Sequence, residues 1–510
     1  MRISTAQLFR QGINEITAQQ TNVARTQLEL ATGTRLLTPA SDPAGSAEAL
    51  RLGERIAATN QHQDNIVFAR TRLNQEENAT SRSIEILQRV RELAISANDA
   101  ALVLSDRQAI AAEVEQRLAE LVDVANSRDA SGEFLFAGFK GRTQPFTRDA
   151  SGSVSYAGDQ GQRVVQVGTQ NTVAVADSGF DTFQAIRNGN GTFTVAPATA
   201  NVGSGVIDPG NVQDASAIDG DTYTITMARD SAASSGAIGL VDSGTNDALT
   251  YELRINGTLV DTLNEGDSRT LAQLESAIDA QSGTTGVAAT TDGTRLYLHS
   301  TTAGGAIAIT ETLVGASEDA DTVTGFFGAS LTGTTTPSVT TTLDSAANAL
   351  LVTDSANNLE LAEDYAADAV FEFNGISTSI RGTPSQGDTF TIAPSTNQSV
   401  FTTLGNLSDD LDLSGAPLSN ALNRALVDID RGIDNLNALR TEIGARLNTL
   451  DSQEEANADF ILELETSLSN VQDLDFAEAA SRLSRQILAL QASQSAFVQV
   501  QGLSLFNFLN

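Results

Sequence analysis

Leu422-Asn423-Arg424-Ala425-Leu426-Val427-Asp428-Ile429-Asp430-Arg431-Gly432-Ile433-Asp434-Asn435-Leu436 opens a run in which apolar side chains return at alternating steps of four and three residues. The steps continue through Ile443, Leu447, Leu450, Ile461, Leu464 and Leu468 to Val471, and only Arg440, Glu454 and Asn457 interrupt them. Twelve of these fifteen positions are large and apolar, in a chain that is 40% hydrophobic. A seven-residue repeat held this long is the pattern of a coiled-coil seam. A helix carrying it is roughly 75 Å long at about 1.5 Å per residue, and one stripe of that length needs another to bury it. Polar residues inside a seam set register rather than add stability, so that role is expected of Arg440, Glu454 and Asn457.

The other end of the chain offers partner stripes. Phe9, Ile13, Ile16, Val23 and Leu30 keep the same spacing, broken by Gln20 and Gln27. After a loop at 34–43, Asp42 is placed to cap a helix whose first residue is Pro43, where a missing N–H costs nothing. That helix is predicted to run to about Asn98, with Leu52, Ile56, Ile66, Leu73, Ile84 and Leu87 on one stripe. Ser105-Asp106-Arg107-Gln108 is predicted to form the capping box of a third helix burying Ile110, Val114, Leu118, Leu121 and Ala125. Apart from such loops, residues 1 to about 140 read as helix.

Between the helical ends the composition turns to Thr, Ser, Gly, Asp and Val. Gly191–Val195, Asp221–Ile225 and Asp388–Ile392 alternate polar and apolar residues, the mark of half-buried strands. Asn256-Gly257 between two such runs signals a hairpin, and a ββαββ unit is predicted across 249–300. The fold class is therefore α+β: a long antiparallel helical coiled-coil or bundle framework made by both termini, with a β-rich outer region inserted.

Composition excludes several functions. The 510 residues contain no cysteine, so disulfides, zinc–thiolate sites and cysteine nucleophiles are ruled out. The two histidines, His62 and His299, are far apart; the first is expected on an exposed helix face and the second in a structural role. No catalytic constellation, cofactor site or metal site is read. Asp219-Gly220-Asp221 and Asp319-Ala320-Asp321 lack a full calcium loop and are read as solvated turns. The net charge of −34 repels phosphate backbones, which argues against nucleic acid as a partner. No apolar stretch of about 18 residues exists for membrane insertion, and Met1–Leu8 lacks a signal-peptide core, so the protein is expected either to stay in the cytoplasm or to leave by a route that reads something else.

Several motifs carry a resemblance. Gln88–Ala94, Glu115–Leu118, Ala31-Thr32-Gly33 leading to Ser41–Gly45, and Asp473–Glu478 with Leu483-Ser484 resemble the terminal core segments of bacterial flagellins. Gly132–Gly138, Gly387–Pro394 running into Ser399–Leu404, and Leu503–Leu509 are similar to the hook–filament junction branch of that superfamily rather than to its filament subunits. The resemblance covers about 1–145 and 385–510, and the middle poorly. It implies a structural, non-enzymatic part of the extracellular flagellum, exported by the type III route. The implied partners are further copies of itself in a ring, the other hook-associated junction protein, flagellin, and an export chaperone on the C-terminal region. A filament subunit is the alternative, followed by an adhesin using the β insert.

Ordering each residue costs roughly 1–2 kcal/mol of backbone entropy. Amphipathic ends without partners should therefore stay loose until neighbours cover them, as the resemblance also implies. Segments 1–40 and 475–510 are assigned to assembly, 41–142 with 405–474 to a helical core, and 143–404 to the outer insertion, with a β/α module at about 249–310. The expected assembly interface is Phe9, Ile13, Ile16, Leu483, Ile487, Leu490, Phe497, Leu505 and Phe508.

Overall fold

Helix starts follow local chemistry. Asp42 Oδ1 accepts the Gly45 amide hydrogen at 2.9 Å, with Pro43 as the first helical residue. The computed structural model describes residues 5–237, 249–264, 267–315, 322–332 and 336–506. Its helices are α1 (Thr5–Thr32), α2 (Pro43–Ala97), α3 (Leu104–Ala125), the short α4 (Gly179–Phe183), α5 (Leu271–Ala280) and α6 (Ser282–Thr285), then α7 (Val400–Asp410), α8 (Gly415–Gln472) and α9 (Phe476–Phe506). Gly33 ends α1 in the left-handed region at φ +71°, and its amide donates to the Glu29 carbonyl.

Three local expectations need correction. Ser105 does not cap α3: Val103 is the N-cap residue, and the Asp106 carboxylate accepts the Val103 amide hydrogen at 3.4 Å. Helix also stops well short of 140. Asn126 turns its side chain to the backbone of Phe146, donating to its carbonyl at 2.9 Å and accepting from its amide at 3.0 Å. Asp129 then takes the Ser131 and Glu133 amides in a side-chain turn, so backbone groups needed for helix are used elsewhere. His62 is half-buried rather than exposed.

Contacts divide the chain into two compact units. One is Met1–Leu73, Val164–Val175 and Gly444–Asn510; the other is Asn74–Arg163 and Ala176–Ile443. The division passes through α2 and α8.

The second unit holds the large hydrophobic clusters. Leu87, Val90, Leu118, Leu121, Leu404, Leu422, Ile429 and Leu436 share one core with Phe136, Phe146, Phe183 and Phe401. Those four rings contact one another at centroid separations of 5.0–5.7 Å. The three alternating runs become neighbouring strands: Thr389–Pro394 pairs antiparallel with both Phe193–Pro197 and Tyr223–Asp230. Their apolar positions Phe193, Val195, Tyr223, Ile225, Phe390 and Ile392 enter one cluster, as the period of two requires.

The elements of the 249–300 unit form, and Asn256 and Gly257 take the two positive φ values (51° and 81°) of the hairpin turn. Its two hairpins nevertheless serve different sheets. Thr250–Ile255 and Thr258–Asn264 continue to Ile307–Val314 and Ser338–Leu343, whereas Val287–Thr291 and Leu296–Ser300 extend the sheet of Tyr223–Asp230. Both hairpins still contribute to one core, which α5 fills with Leu271, Leu274 and Ile278.

Candidate assembly surface

Two polar positions of the heptad stripe are engaged in the first unit. Glu454 pairs with Arg70 at 2.5 Å. Asn457 is buried and donates to the Val167 carbonyl at 2.9 Å, while Asn171 donates to Gln453 at 2.6 Å and Asn65 to the Gln166 carbonyl at 2.7 Å. These side chains fasten the hairpin Val164–Gln166/Thr172–Ala174. In the second unit Arg440 pairs with Glu77 at 2.7 Å.

Burial along α8 is one-sided. Every seventh residue from Leu422 is buried, through Ile429, Leu436, Ile443, Leu450 and Asn457 to Leu464. The alternate positions Leu426, Ile433, Leu447, Ile461 and Leu468 are half-buried.

In the first unit α1 and α9 lie antiparallel. The Phe9 and Phe497 rings meet edge to face, 5.5 Å apart. Gly12 permits the approach, since a Cβ there would meet Phe497 Cδ2 at 2.8 Å. Near the other end the buried Glu29 carboxylate takes Arg482 at 2.6 Å and Arg25 at 3.1 Å. Removing one partner of such a pair leaves an uncompensated charge. The end of α1 is stitched to the start of α9 by the amide of Leu474 donating to the Gly33 carbonyl, and Arg35 donates through its side chain to the Val471 carbonyl at 2.7 Å.

This pair buries little. Phe9, Ile16, Leu483, Leu490 and Phe497 are half-buried, while Ile13 is 52% exposed and Ile487 is also exposed. Leu505 lies in the last turn of α9, and Phe508 falls outside the described residues. Sequence reading missed Leu28, Leu488 and Val498, all exposed, the last two at 68% and 65%. The signal was present: Leu488 follows Ile487 and Val498 follows Phe497, so α9 is apolar around more than one face. Among the described residues, more than half of the exposed large apolar side chains belong to this unit, which holds under a third of the chain, and the three hydrophobic clusters named above lie in the other.

Elsewhere, buried acids serve the fold. Glu311 accepts the Tyr251 hydroxyl and the Phe327 and Ala329 amides, and Asp388 accepts the Val202, Gly203 and Ser385 amides. Among the described residues no three His, Asp or Glu side chains gather as metal ligands, and no helix is long and apolar enough to cross a membrane. Asp219 accepts the Asp221 amide and the Tyr223 hydroxyl as a turn, and the Asp319–Asp321 segment lies outside the described residues.

The chain thus carries long amphipathic helices at both ends around a β-rich insertion, and the likeness to flagellins lies in those ends. Residues 3–140 match the bacterial flagellin N-terminal helical region and 426–509 the C-terminal helical region, so both ends of this chain are flagellin-type. Among curated relatives, flagellar hook-associated protein 3 of Escherichia coli (strain K12) is 26% identical over 188 residues, and that of Salmonella typhimurium is 28% identical over the same length. Each match covers 37% of this chain, and the chain spans 58% of the length of either relative. The fold is also that of the crystal structure of flagellar hook-associated protein-3 from Legionella pneumophila. The TM-score is 0.56 at 23% identity, covering 82% of this chain and 98% of that one.

Proposed function

We propose that the chain is a structural subunit of the bacterial flagellum that joins hook to filament by helix–helix self-assembly. The observation that carries this reading is the α1–α9 pair, on which Ile13, Leu28, Ile487, Leu488 and Val498 stay exposed among the described residues. Burying apolar area is worth about 25 cal/mol per Å², and a second copy presenting the same helices supplies it. Segments 1–40 and 475–510 are the assembly parts, idle until neighbours arrive, and the seam of α8 belongs to the core. The names of the relatives support the junction role.

On this reading the protein acts without catalysis outside the cell. It leaves by type III export without a cleaved signal peptide, with a chaperone on its C-terminal region. It sits in a ring of its own copies, between the other hook-associated junction protein and flagellin. Electron microscopy of flagella from a strain lacking the gene tests this. Hooks without filaments, with flagellin shed into the medium, are expected; normal filaments overturn it. Purified protein that polymerises into long filaments would transfer the chain to the filament-subunit class instead.

A further inference from the structure

Phe134, Leu135, Phe136 and Ala137 are buried, and the next residues leave the core abruptly. Gly138 turns at φ +67°, where a Cβ would come within 2.2 Å of Asp159 Oδ1, so glycine is required. Phe139 follows and is 66% exposed. Its amide donates to Asp159 Oδ1 at 2.8 Å, and the same oxygen accepts the Gly161 amide at 2.9 Å. One side of the ring lies against Gly161, where a Cβ would strike it at 2.1 Å. Tyr156 Oη sits within hydrogen-bond distance of the Phe136 and Asp159 carbonyls (3.0 and 2.8 Å). Lys140 Nζ donates toward the Ala157 and Gly158 carbonyls at 3.4 and 3.2 Å. A large aromatic side chain is thus displayed in solvent on a loop fixed from several directions.

The charge around it is as unusual as the exposure. Lys140 is the single lysine of a chain of net charge −34. Lys140 and Arg142 are both exposed, and among the described residues neither forms an ion pair. An exposed aromatic ring on a fixed loop, followed in the chain by two cations, meets the demands of an interface anchor: it covers large apolar area and has little freedom left to lose on docking. Cations on the same loop attract acidic surfaces and raise association rates. The strongly acidic exterior of a second copy of this chain is the complementary partner.

We infer that the 138–142 loop is a contact between neighbouring copies, with Phe139 as its anchor and Lys140 and Arg142 facing carboxylates of the next copy. This rests on the ring assembly proposed above. The test uses the full-length chain, mixed from isotopically light and heavy preparations, with a photo-crosslinking phenylalanine analogue at position 139. Light–heavy cross-links to acidic segments of the second copy are expected. They should fade as salt rises, because charges separated by more than about 10 Å are screened near 0.1 M. In parallel, Phe139→Ser and the double variant Lys140→Glu/Arg142→Glu should weaken self-association by roughly tenfold or more, as loss of an anchor does. Circular dichroism should stay unchanged, and Lys140→Arg/Arg142→Lys should associate like the wild type. Cross-links confined to one copy, or variants that associate as the wild type does at every salt concentration, overturn the inference. A chain ending at residue 484 separates the two proposals. If truncation abolishes association while Phe139→Ser leaves it intact, the assembly role stands and the loop contact falls. If the wild type does not associate at all, both fall.

Discussion

Asn457 stands where the heptad pattern calls for a large apolar residue, and its neighbours explain the choice. Its amide donates to the Val167 carbonyl and its oxygen accepts from Gln453, so the Val164–Ala174 hairpin hangs on it. Asn457→Leu should add apolar area yet leave buried polar groups unpaired. A loss of roughly 1–3 kcal/mol is expected, read as faster hydrogen exchange confined to 164–174. His299 carries a pH-dependent term. Burial lowers its imidazole below the ordinary 6.5, with Asp279 pulling the other way, and its Nδ1 finds no hydrogen-bond partner among the described residues. The unfolded chain therefore takes up the proton first: stability is full above about pH 6.5 and declines as the pH falls below it toward the folded value. Thermal unfolding from pH 7.5 to 5 should show that decline, and His299→Gln should flatten it.

At the scale of elements, periodicity revealed faces, and caps revealed ends only where the capping side chain occupies the N-cap itself. Asp42 does, and the start of α2 is legible; at α3 Val103 takes that place while Asp106 reaches back, so Ser105 misled. The alternation of Phe193, Tyr223 and Phe390 runs was readable as strands, but their adjacency depends on pairings between segments up to about two hundred residues apart, for which a local pattern holds no signal. The docking of the 164–174 hairpin on Asn65 and Asn457 was invisible for the same reason. The heptad stripe held no signal that one half of its positions would bury more than the other. Ile429, fully buried, and Ile433, half-buried, test that difference. Ile429→Ala should cost roughly 2–5 kcal/mol and Ile433→Ala clearly less, measured by hydrogen exchange across α8 rather than by a single melting point, because two compact units need not unfold together.

Over the whole molecule, burial is divided unequally. Among the described residues, one unit holds the three large clusters named above and a β-rich insertion; the other has long helices, a small hairpin and more than half of the exposed large apolar side chains. A net charge of −34 opposes association by self-repulsion, so the proposed assembly needs a specific surface to overcome it. Within the first unit the buried Glu29 carboxylate is held by the partly exposed Arg25 and Arg482, so replacing both arginines by alanine, which leaves that carboxylate buried and unpaired, should impair assembly more than any other charge change on α1. Sedimentation of mixtures at equal concentration reads that difference.

Hydrogen exchange of the purified full-length chain, alone and after assembly, addresses the central claim most directly. Amides of Thr5–Thr32 and Phe476–Phe506 should exchange rapidly in the lone chain and become strongly protected in the assembled ring, while Leu104–Ala125 stays protected in both. Terminal helices already protected in the lone chain, with no change on joining, would contradict the proposal that neighbouring copies order them.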